Sequence, residues 1–333
     1  MYRFLRPLLF RMDPERAHTI SLGAARMLQR TALPLVRSRY RFEDERLKQR
    51  LWGETFPNPV GLAAGADKNA QLVPFWEALG CGFVEVGSVS AQPATGNPTP
   101  RAFRLPEDRA LINRLGLNND GAEAVAERLE EGRSDRSRPL GVNLAKTHDP
   151  DIMGAAALDD YRTSFQALVS EADYVTLNVS CPNTADGRTF EEPEALDELL
   201  GVIASEQKAP GLAVPILVKL SPPLSDQVLF DTQLEEIVAV AEERDVDGFV
   251  ATNTAPDRQG LRTSAERLAE IGEGGLSGMP LEARSTRMVR YLYQATDGEI
   301  PIIGVGGVVD ADTAYAKIRA GASLVQLYTA PTY

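Results

Sequence analysis

Residues 174–184 read YVTLNVSCPNT, an apolar and partly β-branched run that ends abruptly in amide, thiol and hydroxyl side chains. Such a short run without polar alternation is typical of a strand buried on both faces of a parallel sheet. The same design recurs in NPVGLAAGADKN at residues 58–69 and in PIIGVGG at residues 301–307. The repetition predicts a parallel sheet whose strand ends carry the functional side chains.

Strand-like runs of this kind alternate with helix-like segments from residue 58 onward. Eight such units with polar strand ends predict a (β/α)8 TIM barrel of the α/β class over residues 41–333, with a doubly wound sheet as the alternative. The predicted strands are Asn58–Ala64, Phe83–Val89, Leu140–Ala145, Tyr174–Ser180, Pro215–Leu220, Gly248–Thr254, Pro301–Gly306 and Leu324–Thr329. Predicted helices include Gly121–Glu131, Ala195–Glu206, Leu234–Arg244 and Ala311–Ala320.

Composition limits the possible partners and the compartment. The formal net charge is −12, so no nucleic-acid partner is expected, because such a partner needs a basic surface. An acid-rich, lysine-poor surface suits a high-salt cytoplasm, and solubility alone is the alternative reading. The two cysteines, Cys81 and Cys181, do not form a disulfide framework, which fits a reducing compartment. Neither a signal peptide nor a membrane-spanning stretch is expected.

The first 40 residues differ from the rest, being rich in Leu, Arg and aromatic residues. Asp13 followed by Pro14 predicts an N-cap and the start of a helix that runs toward Leu33, where Pro34 would end it. Residues 1–40 are therefore predicted to form two short helices with an apolar face. They could lie in a membrane interface or pack as a helical hairpin on their own domain, and the pattern fits both.

The polar residues at the strand ends suggest a ligand. Glycines 306 and 307, together with Ser277-Gly278, can bring backbone N–H groups close to a phosphate. Asn side chains at several strand ends suit a planar heterocycle, and lysines at two strand ends can meet anions. Each residue alone has a simpler role as a turn, cap or solvated group, but the same polar bias at six strand ends favours a binding site. No metal site is predicted.

Longer motifs show that the chain resembles the dihydroorotate dehydrogenase family over nearly its whole length. FRMDPERAH at residues 10–18, with the N-terminal extension, is similar to class 2, the quinone-linked branch. The other matching motifs are NPVGLAAGADKNA (58–70), FVEVGSVSAQPATGNPTPRAFRL (83–105), LINRLGLNNDG (111–121), LGVNLAKT (140–147), YVTLNVSCPNT (174–184), ILVKLSP (216–222), GFVATNT (248–254), GGLSGMPL (274–281), PIIGVGGV (301–308) and GASLVQLYT (321–329).

This resemblance implies a cofactor, a substrate and the residues that hold them. It implies an FMN site formed by Ala64, Gly65, Lys68, Ser88, Asn143, Asn178, Lys219, Thr252, Gly278, Gly307, Tyr328 and Thr329. It implies a dihydroorotate site formed by Lys68, Asn113, Arg114, Leu115, Gly116, Leu117, Asn178, Asn183, Asn253 and Thr254. It places His18, Arg104 and Tyr328 near a quinone entrance. Lys219 and Lys68 would act as catalytic cations, on reduced flavin and on an anionic group.

The catalytic base implied by the resemblance is Cys181, where class 2 relatives generally carry Ser and class 1 relatives carry Cys. A thiol ionises far more readily than a hydroxyl and is the more easily activated base near neutral pH. The implied reaction oxidises (S)-dihydroorotate to orotate in pyrimidine biosynthesis and passes electrons to a membrane quinone. The implied location is peripheral, on the cytoplasmic side of the cell membrane. The alternatives are a class 1-like acceptor, fumarate or NAD, and a non-enzymatic membrane-peripheral flavin-binding protein.

Overall fold

The computed structural model describes residues 2–179, 189–223 and 232–333. The strands are β1 (Gln49–Leu51), β2 (Glu54–Phe56), β3 (Val60–Leu62), β4 (Val84–Val89), β5 (Ala102–Leu105), β6 (Ala110–Asn113), β7 (Leu140–Leu144), β8 (Tyr174–Asn178), β9 (Ile216–Leu220), β10 (Gly248–Ala251), β11 (Gly275–Gly278), β12 (Ile302–Val305) and β13 (Leu324–Leu327). The helices are α1 (Tyr2–Leu9), α2 (Pro14–Tyr40), α3 (Val73–Ala78), α4 (Ala122–Glu131), α5 (Ala155–Leu168), α6 (Pro193–Glu206), α7 (Thr232–Glu243), α8 (Ala265–Ile271), α9 (Glu282–Ala295) and α10 (Ala311–Ala320).

Eight parallel strands close into a barrel in the order β3-β4-β7-β8-β9-β10-β12-β13. The closing pair is β13 with β3, where Val325 lies beside Val60. Strand residues are almost all buried, since helices cover the outside and side chains fill the inside. The predicted barrel is confirmed, and each predicted strand contains one barrel strand.

A β-hairpin that was not predicted from the sequence closes the end of the barrel where its strands begin. The antiparallel hairpin β1–β2 carries Trp52 and Phe56, which pack edge to face with ring centroids 6.0 Å apart. Phe56 is fully buried, and burying a Phe side chain stabilises a fold by about 1.5–3 kcal/mol. The Trp52 indole N–H donates to the carbonyl of Asp247 over 2.9 Å. The hairpin therefore seals the end opposite the polar strand ends.

The N-terminal helices differ from the prediction in length. Asp13 caps α2 as expected, because its carboxylate accepts from the backbone N–H groups of Glu15 (3.0 Å) and Arg16 (2.9 Å). The predicted end near Leu33 is wrong, since α2 runs through Pro34 to Tyr40. A proline inside a helix removes one hydrogen bond and bends the backbone. Packing of α2 against α3 outweighs that loss.

Candidate active site

A cleft of about 1010 Å³, which includes its opening to solvent, lies at the carboxyl ends of the barrel strands. This is the end of a TIM barrel that carries catalytic and binding residues. The predicted residues that line it are Ala64, Gly65, Lys68, Ser88, Asn113, Leu115, Gly116, Leu117, Asn178, Lys219, Thr252, Asn253, Thr254, Gly278, Gly307, Tyr328 and Thr329.

Four of the predicted residues that the structure describes are placed elsewhere. Asn143 lies beneath the cleft floor, and His18 and Arg104 lie near the N-terminal helices rather than in the lining. The Arg114 guanidinium points away from the cleft, donating to the carbonyl oxygens of Ile271 (2.6 Å) and Glu273 (2.9 Å). The remaining predicted residues, Cys181 and Asn183, lie outside the residues that the structure describes.

A continuous chain of hydrogen bonds rises from the barrel interior to the cleft. Asn143 donates to Glu85 over 2.9 Å and accepts from the Ser88 hydroxyl over 2.5 Å. The Asn178 amide donates to the Ser88 hydroxyl (3.0 Å), and the Asn253 amide donates to Asn178 (3.2 Å). Because the nitrogen and the oxygen of each amide are both engaged, with the Asn253 oxygen accepting from the Thr254 backbone N–H, the orientation of each amide is fixed before any ligand arrives. The cleft therefore presents preorganised amides to a planar ligand.

The series of hydrogen bonds begins in the barrel interior at Glu85, which is fully buried. Besides Asn143, the Glu85 carboxyl group accepts from the Gln326 amide (2.7 Å) and the Tyr174 hydroxyl (3.2 Å). Burial and the neighbouring Glu85 raise the pKa of Tyr174 well above its usual value, so this phenol stays protonated and donates. The sequence reasoning missed the network, although a carboxylate inside the apolar run Val84-Glu85-Val86 was an available indication.

One end of the cleft has the features of a phosphate site. A Cβ on Gly307 would lie 2.4 Å from the Cα of Glu282, and a Cβ on Gly278 would lie 2.5 Å from the carbonyl oxygen of Arg109, so both positions require glycine. Among the described residues, the backbone N–H groups of Gly307 and Thr329 meet no acceptor. The Ser277 and Thr329 hydroxyls bond over 2.9 Å. Free backbone donors beside hydroxyls form a cradle that fits a phosphate.

The middle of the cleft offers a further unsatisfied group. Gln326 lines the cleft, and its amide oxygen is buried without a hydrogen-bond partner in the described part of the chain. A buried acceptor without a partner is costly, and an N–H donor on a bound heterocycle would relieve the cost. Lys219, which is buried at the end of β9, pairs in register with Asn178 on β8. The sequence reasoning did not identify Gln326, because the residue lies inside the apolar run of β13.

Lys68 lies at the edge of the cleft beneath the N-terminal helices. Its ammonium group donates to Asn118 over 2.5 Å. Burial, followed by the charge of Arg101, lowers the pKa of Lys68 to about 8, with Glu15 opposing the shift. Arg101 and Glu15 form an ion pair over 2.7 Å, which fixes the start of α2 against the loop after β4. The Lys68 ammonium group, which loses its proton more readily than that of an exposed lysine, therefore lies where it can contact a ligand in the cleft.

A three-stranded antiparallel sheet covers the cleft. Strand β6 pairs with β5 and with β11, and Asn113 lies opposite Gly275. The Asn113 amide donates to the Gly275 carbonyl over 3.4 Å. The Arg114 guanidinium lies over the Phe103 ring, 4.7 Å from its centroid. Arg114 thus secures the cover instead of reaching into the cleft.

Two of the three residues predicted near a quinone entrance, His18 and Arg104, lie at the N-terminal helices. Arg104 donates to the Met12 carbonyl over 2.9 Å, and its guanidinium lies 4.8 Å from the Phe10 ring centroid. His18 keeps an exposed surface, yet desolvation by surrounding atoms and then the charge of Lys68 lower its pKa. Tyr328 lines the cleft, and its ring packs 3.1 Å from the Cβ position of Gly65. His18 and Arg104 therefore lie at the N-terminal helices, whereas Tyr328 lies in the cleft.

Two further observations concern metals and membranes. In residues 2–179, 189–223 and 232–333, no three His, Cys, Asp or Glu side chains are arranged to hold a metal ion. Within the same ranges, none of the helices combines the length and apolarity needed to cross a bilayer.

The chain is similar to known proteins over its whole length. A sequence profile described as dihydroorotate dehydrogenase matches residues 46–333. Proteins named dihydroorotate dehydrogenase (quinone) from Natronomonas pharaonis and Roseiflexus castenholzii are 44% and 46% identical, in alignments that span 100% of this chain and 90% and 88% of theirs. The crystal structure of DHODH in complex with ferulenol from Eimeria tenella has a TM-score of 0.84 at 36% identity, covering 96% of this chain and 87% of that one.

Proposed function

The chain belongs to the dihydroorotate dehydrogenase family, and from that premise we propose that it oxidises (S)-dihydroorotate to orotate and passes the electrons to a quinone. The observation that carries the proposal is the full-length identity of 44% and 46% with quinone enzymes, including the N-terminal helices. The cleft supports it, since amides, two lysines and a phosphate cradle meet at one end of the barrel.

The cofactor proposed for the cleft is FMN. The glycine cradle at Gly278 and Gly307 fits its phosphate, and the Gln326 amide oxygen, which has no hydrogen-bond partner among the residues that the structure describes, fits a ring N–H. The residues proposed to hold FMN are Ala64, Gly65, Lys68, Ser88, Asn143, Asn178, Lys219, Thr252, Gly278, Gly307, Tyr328 and Thr329. Of these, Asn143 would act from below by holding Ser88. Held by these residues, FMN would supply the hydride acceptor for oxidation of the substrate and the electron donor for the quinone.

The protein residues position the substrate and move its proton. The Asn178–Asn253 pair presents fixed amide groups, and Asn113 on the cover faces the same space. Holding the reacting groups in the correct relative orientation accounts for a large part of the rate enhancement in such reactions. Cys181 is proposed to remove the proton from C5, next to a carbonyl, and Asn183 to contact the substrate; both assignments rest on the family motif. Lys68 is suited to the substrate carboxylate, because it is a cation at the cleft edge.

The N-terminal helices are proposed to form the membrane contact and the quinone entrance of a peripheral protein on the cytoplasmic side. Helix α2 exposes large apolar side chains to solvent: Ile20 (48% exposed), Met27 (84%), Leu28 (57%) and Leu35 (74%). A helix with a large exposed apolar face and basic residues suits a bilayer interface. His18 and Arg104 beside these helices and Tyr328 in the cleft are proposed to mark the quinone entrance.

The decisive experiment follows the visible absorbance of bound flavin under anaerobic conditions. Dihydroorotate should bleach the flavin, and a quinone should restore the colour. Restoration by fumarate or NAD in place of quinone would keep the reaction and replace the acceptor, which is the alternative that Cys181 favours. Flavin that binds but never bleaches would contradict the substrate.

The role of Cys181 is tested by comparing the two cysteines. Cys181→Ala should abolish turnover at neutral pH while flavin stays bound, because the proton at C5 then has no acceptor. Cys81→Ala is the matched control, since burial raises the pKa of the Cys81 thiol to about 12 and makes it a poor base. Near-normal turnover of Cys181→Ala would contradict the assignment.

The membrane contact is tested with Met27→Gln combined with Leu35→Gln. Both side chains are exposed, so the change should leave folding and bleaching by dihydroorotate intact. It should weaken sedimentation with vesicles, because less apolar area enters the interface. Glu54→Gln, at an exposed site on β2, is the control. Unchanged vesicle binding of the double variant would contradict the proposed contact.

A further inference from the structure

Lys317 on α10 is a fully buried lysine that the reaction described above does not use. Its ammonium group lies 2.5 Å from the Ser285 hydroxyl and 3.0 Å from the Thr286 hydroxyl. Its stem packs 3.1 Å from the Cβ position of Gly304 in β12. Within the described part of the chain, Lys317 has no carboxylate within ion-pair distance.

A buried cation without an anionic partner is expensive, since the lost hydration is not replaced by an opposite charge. Burial accordingly lowers the pKa of Lys317 to about 8, while Glu282 opposes the shift. The group is therefore still mainly charged near neutral pH. Two hydroxyls and, at 3.5 Å, the Glu282 carbonyl oxygen accept from it. None of these acceptors carries a full negative charge, so an anion held nearby would stabilise the ammonium group further.

The surroundings of Lys317 lead to the phosphate cradle. The Ser285 hydroxyl, which accepts from Lys317, lies 2.8 Å from two carbonyl oxygens, that of Leu281 in the preceding turn and that of Gly306. Ser285 is fully buried, so the Gly306 carbonyl faces the protein interior and not the cleft. In a trans peptide the N–H points opposite to the C=O, which turns the Gly307 N–H toward the cleft. Among the described residues that N–H has no acceptor.

We propose that Lys317, acting through Ser285, is a positioning residue for the phosphate group of the bound flavin nucleotide: it orients the Gly306–Gly307 peptide and supplies positive charge behind it. The inference rests on the proposed flavin site and deepens it. Lys317 lies behind the Gly306–Gly307 turn and does not line the cleft. We therefore expect it to affect binding of the phosphate group and not binding of the flavin ring.

The test compares FMN with riboflavin, which has the same ring system and lacks the phosphate. Full-length protein freed of flavin by dialysis is titrated with each, following the quenching of flavin fluorescence. Lys317→Met, which keeps the stem and removes the charge, should weaken FMN binding on the order of tenfold or more and change riboflavin binding less than about twofold. Ser285→Ala, which keeps the charge and breaks the connection, should weaken FMN selectively by a smaller factor.

Arg319→Met is the matched control, because it removes one positive charge from an exposed site on the same helix and should leave both affinities unchanged. Equal losses for FMN and riboflavin in Lys317→Met and Ser285→Ala would show a purely structural role and overturn the inference, as would no loss for either ligand. If Lys317→Met does not fold, Ser285→Ala decides by the same comparison. Wild-type protein that binds neither flavin would instead overturn the proposed function.

Discussion

Replacing Glu85 by Leu should be among the most destabilising single changes in the barrel. The Glu85 carboxyl group accepts from Asn143 (2.9 Å), Gln326 (2.7 Å) and Tyr174 (3.2 Å), and all four residues are buried. Leucine would fit the space but leave three buried donors without an acceptor. Each such donor costs about 1–3 kcal/mol, so the free energy of unfolding should fall by at least about 3 kcal/mol.

A double-mutant cycle separates these bonds from simple repacking. Tyr174→Phe in the wild-type background removes one donor to Glu85 and should cost about 1–2 kcal/mol. In the Glu85→Leu background the same change removes an unsatisfied hydroxyl and should be neutral or stabilising. The coupling energy between the two positions should therefore be about 2 kcal/mol.

The assay is urea unfolding followed by tryptophan fluorescence, with midpoints and slopes determined for each variant. Glu54→Leu, at an exposed position on β2, controls for removal of a negative charge. The reasoning would be refuted if Glu85→Leu lost less than about 1 kcal/mol, or if Tyr174→Phe cost the same in both backgrounds.

Two further predictions concern the cleft. The pKa of Lys68 is lowered to about 8, so the charge of its ammonium group is present below that pH and lost above it. The affinity for orotate should therefore fall by up to about tenfold per pH unit above the pKa. Lys68→Met should remove this pH dependence. Wild-type affinity for orotate that stays constant across this range, measured by flavin absorbance, would contradict this. Gly307 has a φ of +73°, and a Cβ there would lie 2.4 Å from Glu282, whereas Gly211 has a similar φ and open space around it. Gly211→Ala should cost about 1 kcal/mol through its backbone conformation alone. Gly307→Ala should destabilise the protein by at least about 2 kcal/mol more, because the added methyl group also overlaps Glu282. Equal urea midpoints for the two would contradict the cradle geometry.

The sequence predicted the barrel because periodicity and strand-end polarity are local properties of the chain. All eight barrel strands fall within predicted ranges, and the family resemblance is confirmed by a profile match over residues 46–333. The β1–β2 hairpin and the cover of β5, β6 and β11 escaped prediction. Their strands are three or four residues long, and β6 pairs with a partner about half the chain away, which no short window detects.

The site shows the same division between local and distant information. Residues directly at strand ends, such as Asn178 and Lys219, were found because position in a barrel predicts their role. Glu85 and Lys317 were not found, since their importance arises from contacts with residues far away in sequence. Arg114 was assigned to the substrate by its motif, whereas its guanidinium secures the cover by bonding to Ile271 and Glu273.

The order of the chain determines when the enzyme acquires its cofactor during synthesis. The barrel closes only when β13 pairs with β3, and the phosphate cradle is built from Gly278, Gly307 and Thr329, which the ribosome makes late. A nascent chain therefore exposes the unpaired edge of β3 while it has no place for a flavin nucleotide, and exposed strand edges favour aggregation. Flavin capture must therefore follow synthesis of Thr329, so the cofactor binds only after the strand that closes the barrel has been made.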